Sequence, residues 1–280
     1  MHVHDHGDGS PLGFTGERVL PDEREWAWCF QAHKFGYDDL AARTRAGARM
    51  LDVGCGEGYG ANLLGRDASW VVATDASEET VRHAKEKYRR DNLAWVVCDA
   101  ERLPFADRSF DVISSLQVIE HLRDTDRHLR DVARVLRADG WHYVATPNID
   151  KMSDAEKDNP YHLTDFTAAE LRRGLDTHFE EVELVGMFYR EDSPRVQAMN
   201  DAVRNDDEIR PKLDRVENVL AKLPTPVRVK MRPLARALAG VPQQTADEAR
   251  NAILAEDFEA RAPAEESFCL IGIARTPRAS

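Results

Sequence analysis

The sequence predicts an α/β protein built on a doubly wound, mostly parallel sheet, and three observations carry that prediction. Short apolar runs alternate with helical stretches at the spacing of strand–helix–strand units. The first run, Met50-Leu51-Asp52-Val53, opens directly into a glycine-rich turn, Gly54-Cys55-Gly56-Glu57-Gly58-Tyr59-Gly60. Acids then close the next two runs, at Asp75 and Asp99, and open sheets of this kind bind ligands beyond the C-terminal ends of their strands.

From Pro21 to about Ala46, residues Trp26, Cys29, Phe30, His33, Tyr37 and Leu40 recur every three or four positions, which predicts an amphipathic helix ended by Gly47. The first strand and its turn follow, with a helix starting near Gly56 to Tyr59. Trp70 to Thr74 is the second strand, and Ser77 to Tyr88 a helix opened by a serine–glutamate capping sequence. Leu93 to Cys98 and Phe110 to Ser115 are the third and fourth strands, Thr125 to Leu136 a helix, and Trp141 to Ala145, after Gly140, the fifth strand. Helix Thr167 to Leu175 and strand Val182 to Phe188 come next, and a last strand at Phe268 to Ala274 follows only after a long charged segment.

That pattern divides the chain into a tail (1–13), an N-terminal helical cap (14–46), a ligand-binding core (47–192), a helical insertion (193–263) and a last core strand with its tail (264–280). In the insertion, Val216, Val219, Leu220 and Leu223 share one helical face, which suits a lid or a homodimer contact. Fifty acidic residues against 38 basic give a net charge of −12, which argues against a nucleic-acid partner. A composition 42% hydrophobic can fill a sizeable core. No run is long and apolar enough for a membrane span, and Met1-His2-Val3-His4 lacks signal-peptide order, so a cytoplasmic location is expected. Cys29, Cys55, Cys98 and Cys269 form no CxxC pair, which suits reduced thiols.

A dinucleotide fingerprint wants glycine at the sixth position counted from Gly54, where this chain has Tyr59. Glu57 occupies the place where a helix N-terminus would meet a pyrophosphate, and a carboxylate there repels an anion. A cationic, phosphate-free cofactor such as S-adenosylmethionine meets no such conflict. Asp75 is placed to accept both ribose hydroxyls, and Asp99-Ala100 to meet the adenine edge.

Leu51-Asp52-Val53-Gly54-Cys55-Gly56-Glu57-Gly58, Thr74-Asp75 and Cys98-Asp99-Ala100 resemble the successive cofactor motifs of class I S-adenosylmethionine-dependent methyltransferases. Leu103-Pro104-Phe105, Phe110-Asp111-Val112 and Leu136 to Gly140 look like the same family's approaches to its fourth and fifth strands. The resemblance covers roughly residues 47–190. It implies a seven-stranded sheet with an antiparallel last strand. It also implies cofactor contacts at Asp52, Gly54, Cys55, Gly56, Tyr59, Asp75, Ala76, Asp99, Ala100, Glu101 and Leu116.

The fourth strand ends at Leu116-Gln117-Val118-Ile119-Glu120-His121 and the fifth at Thr146-Pro147-Asn148. Gln117, Glu120 and His121, at i, i+3 and i+4, share one face if the turn is helical, and His162 in Asn159-Pro160-Tyr161-His162 can close the site. This set resembles the E-x-x-E-H metal run of ubiquinone-pathway and small-RNA O-methyltransferases, with Gln117 in place of the first Glu. The resemblance implies a divalent ion held by Glu120, His121, His162 and Gln117. Magnesium is the family's metal, and the two imidazoles leave manganese, cobalt or zinc open. Without a metal, His121 or His162 serves as general base.

Thr15-Gly16-Glu17-Arg18-Val19-Leu20-Pro21, Gln31-Ala32-His33, and Glu256-Asp257-Phe258-Glu259 resemble methyltransferases of bacterial glycans, including those of methylmannose and methylglucose polysaccharides. That likeness implies that Arg18 and His33 cover the cofactor or the acceptor, and that the acceptor is a sugar or oligosaccharide hydroxyl. The alternatives are a phenol or quinol acceptor, or a non-catalytic methyltransferase-like binding protein.

Overall fold

The computed structural model describes Pro21, residues 27–153, Lys157, residues 159–200, Ala202 and residues 246–278. The tail over 1–13, Arg18, Trp26 and the stripe Val216, Val219, Leu220 and Leu223 lie outside the described residues.

Helix α1 (Ala27–Arg43) leads into β1 (Arg49–Val53), α2 (Tyr59–Leu64), β2 (Trp70–Asp75), α3 (Glu78–Lys87), β3 (Leu93–Val97) and β4 (Phe110–Leu116). Then come α4 (Thr125–Val135), β5 (Leu136–Pro147), α5 (Ala168–His178), β6 (Phe179–Tyr189), α6 (Ala246–Asn251), β7 (Phe258–Arg261) and β8 (Cys269–Pro277). The strands form one sheet in the order β3-β2-β1-β4-β5-β8-β6-β7. The first five are mutually parallel, and β8 runs antiparallel between β5 and β6, as expected for the last core strand.

The sheet has eight strands rather than seven. The extra one, β7, pairs antiparallel with β6 at the edge and lies in the stretch read from sequence as helical insertion. Phe-Glu-Ala-Arg is four residues long with two charges, a composition that an exposed edge tolerates and that leaves no apolar run to read.

Every residue of β4 is buried, as a central parallel strand covered on both faces requires. Successive residues of β1 face opposite layers: Met50 packs with Tyr37 and Leu40 of α1 and Ala61 and Leu64 of α2, and Leu51 with Leu129 and Val132 of α4 and Leu171 and Leu175 of α5. Ser77 caps α3 by accepting from the Thr80 amide at 3.2 Å. The third helical residue is Thr80 rather than a glutamate, so only half of a capping box forms, whereas Thr167 and Glu170 complete one at α5.

Two segments leave and re-enter this frame beside one carboxylate. Asp257 accepts from Ser193 Oγ and Arg195 Nε, both at 2.6 Å, and from the Leu254 amide at 2.8 Å. The Ala255 amide donates to Gln31 Oε1 of α1 at 3.0 Å. Among the described residues no helix is long and apolar enough to cross a membrane.

Candidate functional site

The turn after β1 is shaped by glycines that no other residue replaces without strain. Gly54 has φ +69°, and a Cβ there would lie 2.5 Å from Val118 Cγ2; Gly58 has φ +99°, with Trp95 2.7 Å from the same point. The turn is strapped to β2 by Cys55 N to Thr74 O (2.8 Å) and Gly56 N to Asp75 Oδ2 (3.1 Å). Asp75 Oδ1 also accepts from the Ser77 amide at 2.9 Å, so its carboxylate is fixed from both sides.

A cavity of about 520 Å³ opens over this turn. It is lined by Gly54, Cys55, Gly56, Tyr59, Asp75, Ala76, Asp99, Ala100, Glu101, Leu116, His33 and His121, together with Tyr37, Cys98 and Arg123. Asp99 Oδ1 accepts from the Glu101 amide at 2.8 Å, and Glu101 Oε1 from the Arg123 amide at 2.7 Å, which braces this rim against the start of α4.

Two acids depart from their sequence reading. Asp52 is fully buried behind the turn and does not line the cavity; its carboxylate accepts from Ser114 Oγ at 2.7 Å and Tyr37 Oη at 3.3 Å. Burial raises its pKa to about 7, against the lowering effect of those two hydrogen bonds. Glu57 carries no unbalanced charge toward a ligand: Lys87 Nζ lies 2.6 Å and Tyr88 Oη 2.8 Å from its carboxylate, which is 1% exposed. The charge argument that set Glu57 against a pyrophosphate therefore fails, because its partners on and beside α3 neutralise it.

A second cavity, of about 660 Å³, adjoins the first and shares His33, Leu116 and Gln117 with it. Its walls include Trp28, Tyr161, Met187, Tyr189 and Phe268, with Lys151, Asn159, His162 and Arg250 as polar groups. Sequence periodicity read Cys29 and His33 of α1 as part of a packed face, but both line this cavity. Burial lowers the His33 pKa to about 4, so its ring is neutral at the throat. Burial pushes the Cys29 thiol up to about 11 and Cys269 to about 12, which keeps both protonated and unsuited to nucleophilic work.

Glu120, His121 and His162 converge, with His121 lining the first cavity, His162 the second and Glu120 buried behind them. One ligand atom from each lies within 4.8 Å of the others, and the two rings contact edge to face with centroids 5.2 Å apart. Glu120 is 1% exposed and accepts from Thr146 Oγ1 of β5 at 3.1 Å. The loop holding His162 is pinned by the Leu163 and Thr164 amides, which donate to the Glu120 carbonyl at 2.8 and 3.0 Å. His121 Nδ1 lies 3.1 Å from the Tyr161 carbonyl, and His162 Nδ1 3.3 Å from Asp165 Oδ1. His121, whose Nδ1–H is held by that carbonyl, presents its lone pair on Nε2, whereas His162 Nδ1 is buried and makes no hydrogen bond among the described residues.

Gln117 does not lie on the helical turn that carries Glu120 and His121. The helical turn begins at Ile119, Gln117 precedes it at φ +54°, and its amide donates to Cys269 Sγ at 3.4 Å.

Comparison with known proteins gives a consistent answer. The family described as a methyltransferase domain matches residues 51–144. A "Probable S-adenosylmethionine-dependent methyltransferase" of Mycobacterium tuberculosis is 37% identical over 209 residues, 70% of this chain and 74% of the relative. A ubiquinone biosynthesis O-methyltransferase of Mesorhizobium japonicum is 37% identical over 119 residues, 42% of this chain and 48% of the relative. Among solved structures, a SAM-dependent methyltransferase from Thermotoga maritima aligns with a TM-score of 0.57 at 15% identity, covering 90% of this chain and 93% of that one.

Proposed function

The chain belongs to the S-adenosylmethionine-dependent methyltransferases, and from that premise we propose that it methylates a hydroxyl of a sugar or oligosaccharide, with Glu120, His121 and His162 at the reacting end. The observation that carries the proposal is a pair of cavities sharing a neutral throat, His33, Leu116 and Gln117, with His121 on the wall of one, His162 on the wall of the other and Glu120 within ligand distance of both rings.

The first cavity fits the cofactor. The left-handed Gly54 and Gly58 keep the turn open where a Cβ would collide, and Asp75, Asp99 and Glu101 supply carboxylates to a cationic ligand. Asp75, with both oxygens already oriented by backbone amides, holds the ribose hydroxyls; Ala100 and Asp99 border the base; Tyr37 and Tyr59 wall the turn. When bound, S-adenosylmethionine supplies an electrophilic methyl group on a positively charged sulfur. Leu116 and the uncharged His33 ring line the passage and exclude water from it.

The second cavity receives the acceptor. Trp28, Tyr189 and Phe268 offer flat apolar faces, and Asn159, Lys151 and Gln117 offer donors at the edges, a combination that suits a sugar ring with its hydroxyl rim. His121, through Nε2, or His162 takes the hydroxyl proton, and buried Glu120 stabilises the imidazolium that results. The same three residues also fit a divalent ion, since one carboxylate and two imidazoles form a known donor set and the buried Nδ1 of His162 has no hydrogen-bond partner among the described residues. When bound there, such an ion supplies Lewis acidity to the acceptor oxygen. The donor set favours zinc, manganese or cobalt over magnesium.

A phenol or quinol acceptor is the second reading, favoured by the aromatic walls and by the ubiquinone O-methyltransferase relative. Methyl transfer from labelled S-adenosylmethionine to mannosides, glucosides, short oligosaccharides and catechols, each with added divalent ion and with excess EDTA, separates these readings. Saccharide turnover abolished by EDTA and restored by an ion is the expected result. Turnover of catechols alone would replace the sugar reading, and EDTA-resistant turnover would remove the ion.

A further inference from the structure

The two cavities carry opposite charge. Asp75, Asp99 and Glu101 outnumber Arg123 in the first, where Glu57 is already balanced by Lys87, yet in a chain with fifty acidic residues no described residue lining the second is Asp or Glu. Lys151 and Arg250 are there instead. Lys151 is neutralised by Glu266, whose carboxylate lies 2.9 Å from its Nζ.

Arg250 has no ion-pair partner among the described residues. Its guanidinium lies 5.1 Å from the ring centroid of Trp28, and Tyr189 lines the same cavity. Stacking on Trp28 holds the planar group at the rim and leaves its N–H edge available, the geometry in which arginine receives a carboxylate or a phosphate. An acid-free wall ending in an unpaired arginine, on a protein of net charge −12, is a specific feature of this cavity rather than a property of the surface.

We propose that the acceptor bears an anionic group, a carboxylate or a phosphate, and that Arg250 receives it. This rests on the second cavity being the acceptor's place. With the anion fixed at the rim and the ring laid along the aromatic walls, the distance between them selects which hydroxyl reaches the throat. Arg250 is thus a specificity-determining residue that takes no part in the proton transfer at His121 and His162.

The test compares three acceptors of one hexose, the neutral methyl glycoside, the uronic acid glycoside and the hexose phosphate, on the wild-type protein, Arg250→Gln and Arg250→Lys. Wild type is expected to prefer one charged acceptor over the neutral one by about tenfold or more in kcat/KM, and which one identifies the anion. Arg250→Gln is expected to bring that ratio close to one, mainly through KM, while Arg250→Lys keeps part of it and keeps more for phosphate than for carboxylate. A ratio near one in wild type, or an unchanged ratio in Arg250→Gln at an unchanged melting temperature, overturns the proposal. Calorimetric binding of the same sugars to protein loaded with S-adenosylhomocysteine needs no turnover. Charged-sugar binding that weakens about tenfold in Arg250→Gln without methyl transfer by wild type keeps the anion site and discards the transfer reading. Methylation of sugars with no charge preference does the reverse.

Discussion

Gly60 and Tyr37 are in such close contact that a Cβ on the glycine would lie 2.0 Å from the tyrosine Cζ. Helix propensity alone favours alanine over glycine by about 1 kcal/mol in α2, so the glycine is held there by the tyrosine ring. The ring cannot retreat, because it is 4% exposed, contacts Tyr59 edge to face and reaches Asp52 with its hydroxyl. Gly60→Ala is expected to lose about 1–3 kcal/mol of stability and to weaken S-adenosylhomocysteine binding. Denaturant melts and calorimetry check both, and a stabilised variant would mean that the ring moves freely.

Asp52 gives stability an unusual pH dependence. Its folded pKa, about 7, lies above the unfolded value near 3.8, so the native chain binds more protons between those limits. Stability from this group is full below about pH 4 and declines as pH rises through 7. The melting temperature of Asp52→Asn relative to wild type should therefore climb between pH 4 and 7 and level off above, a difference on the order of a few kcal/mol. A flat difference would show that the carboxylate is already ionised at pH 5.

His128 and His142 act in the opposite sense. Both are fully buried with rings 6.1 Å apart; His128 Nδ1 donates to the Ala100 carbonyl, and His142 Nε2 meets Ser115 Oγ. Burial lowers both pKa values below the usual 6.5. Their folded forms resist protonation that the unfolded chain accepts, so stability falls as pH drops below about 6.5. Proton NMR titration of the two ring C–H signals should show midpoints well under those of a free histidine, and ordinary midpoints would refute the burial argument.

At the reacting end, Glu120→Ala, His121→Ala and His162→Ala are each expected to lower methyl transfer by about 10²–10⁴-fold while S-adenosylhomocysteine still binds. Wild-type turnover in any one of them removes that residue from its role. Single-turnover assays beside calorimetry make the separation.

Asp75→Ala should do the reverse and act on cofactor affinity. Loss of the ribose acceptor and of the brace on the Gly56 amide is expected to raise the dissociation constant of S-adenosylhomocysteine about tenfold to a hundredfold. Unchanged affinity by calorimetry would place the ribose elsewhere.

What could be read from sequence was local. The glycine turn and Asp75 were legible because β1, the turn and β2 lie within some thirty residues, and their backbone demands appear as residue types. Glu57 was misread because Lys87, thirty residues away on α3, balances it only once the helix is packed. Gln117 looked like a neighbour of Glu120 by helical spacing, but its left-handed backbone breaks that register. The second cavity had no local signature at all, since Trp28, Tyr161, Arg250 and Phe268 come from four distant segments. β7 was hidden by its charge.

The position of β8 sets an order of events during synthesis. It is the last of the described strands in chain order, yet it sits between β5 and β6, pairing with both. Some eighty residues separate β6 from β8, about 4–16 s of ribosome travel at about 5–20 residues per second. Throughout that interval the facing edges of β5 and β6 have no partner, and an unpaired edge is a template for another chain. The nascent protein therefore passes through a half-finished sheet held open at its middle, the stage at which a chaperone has most to protect.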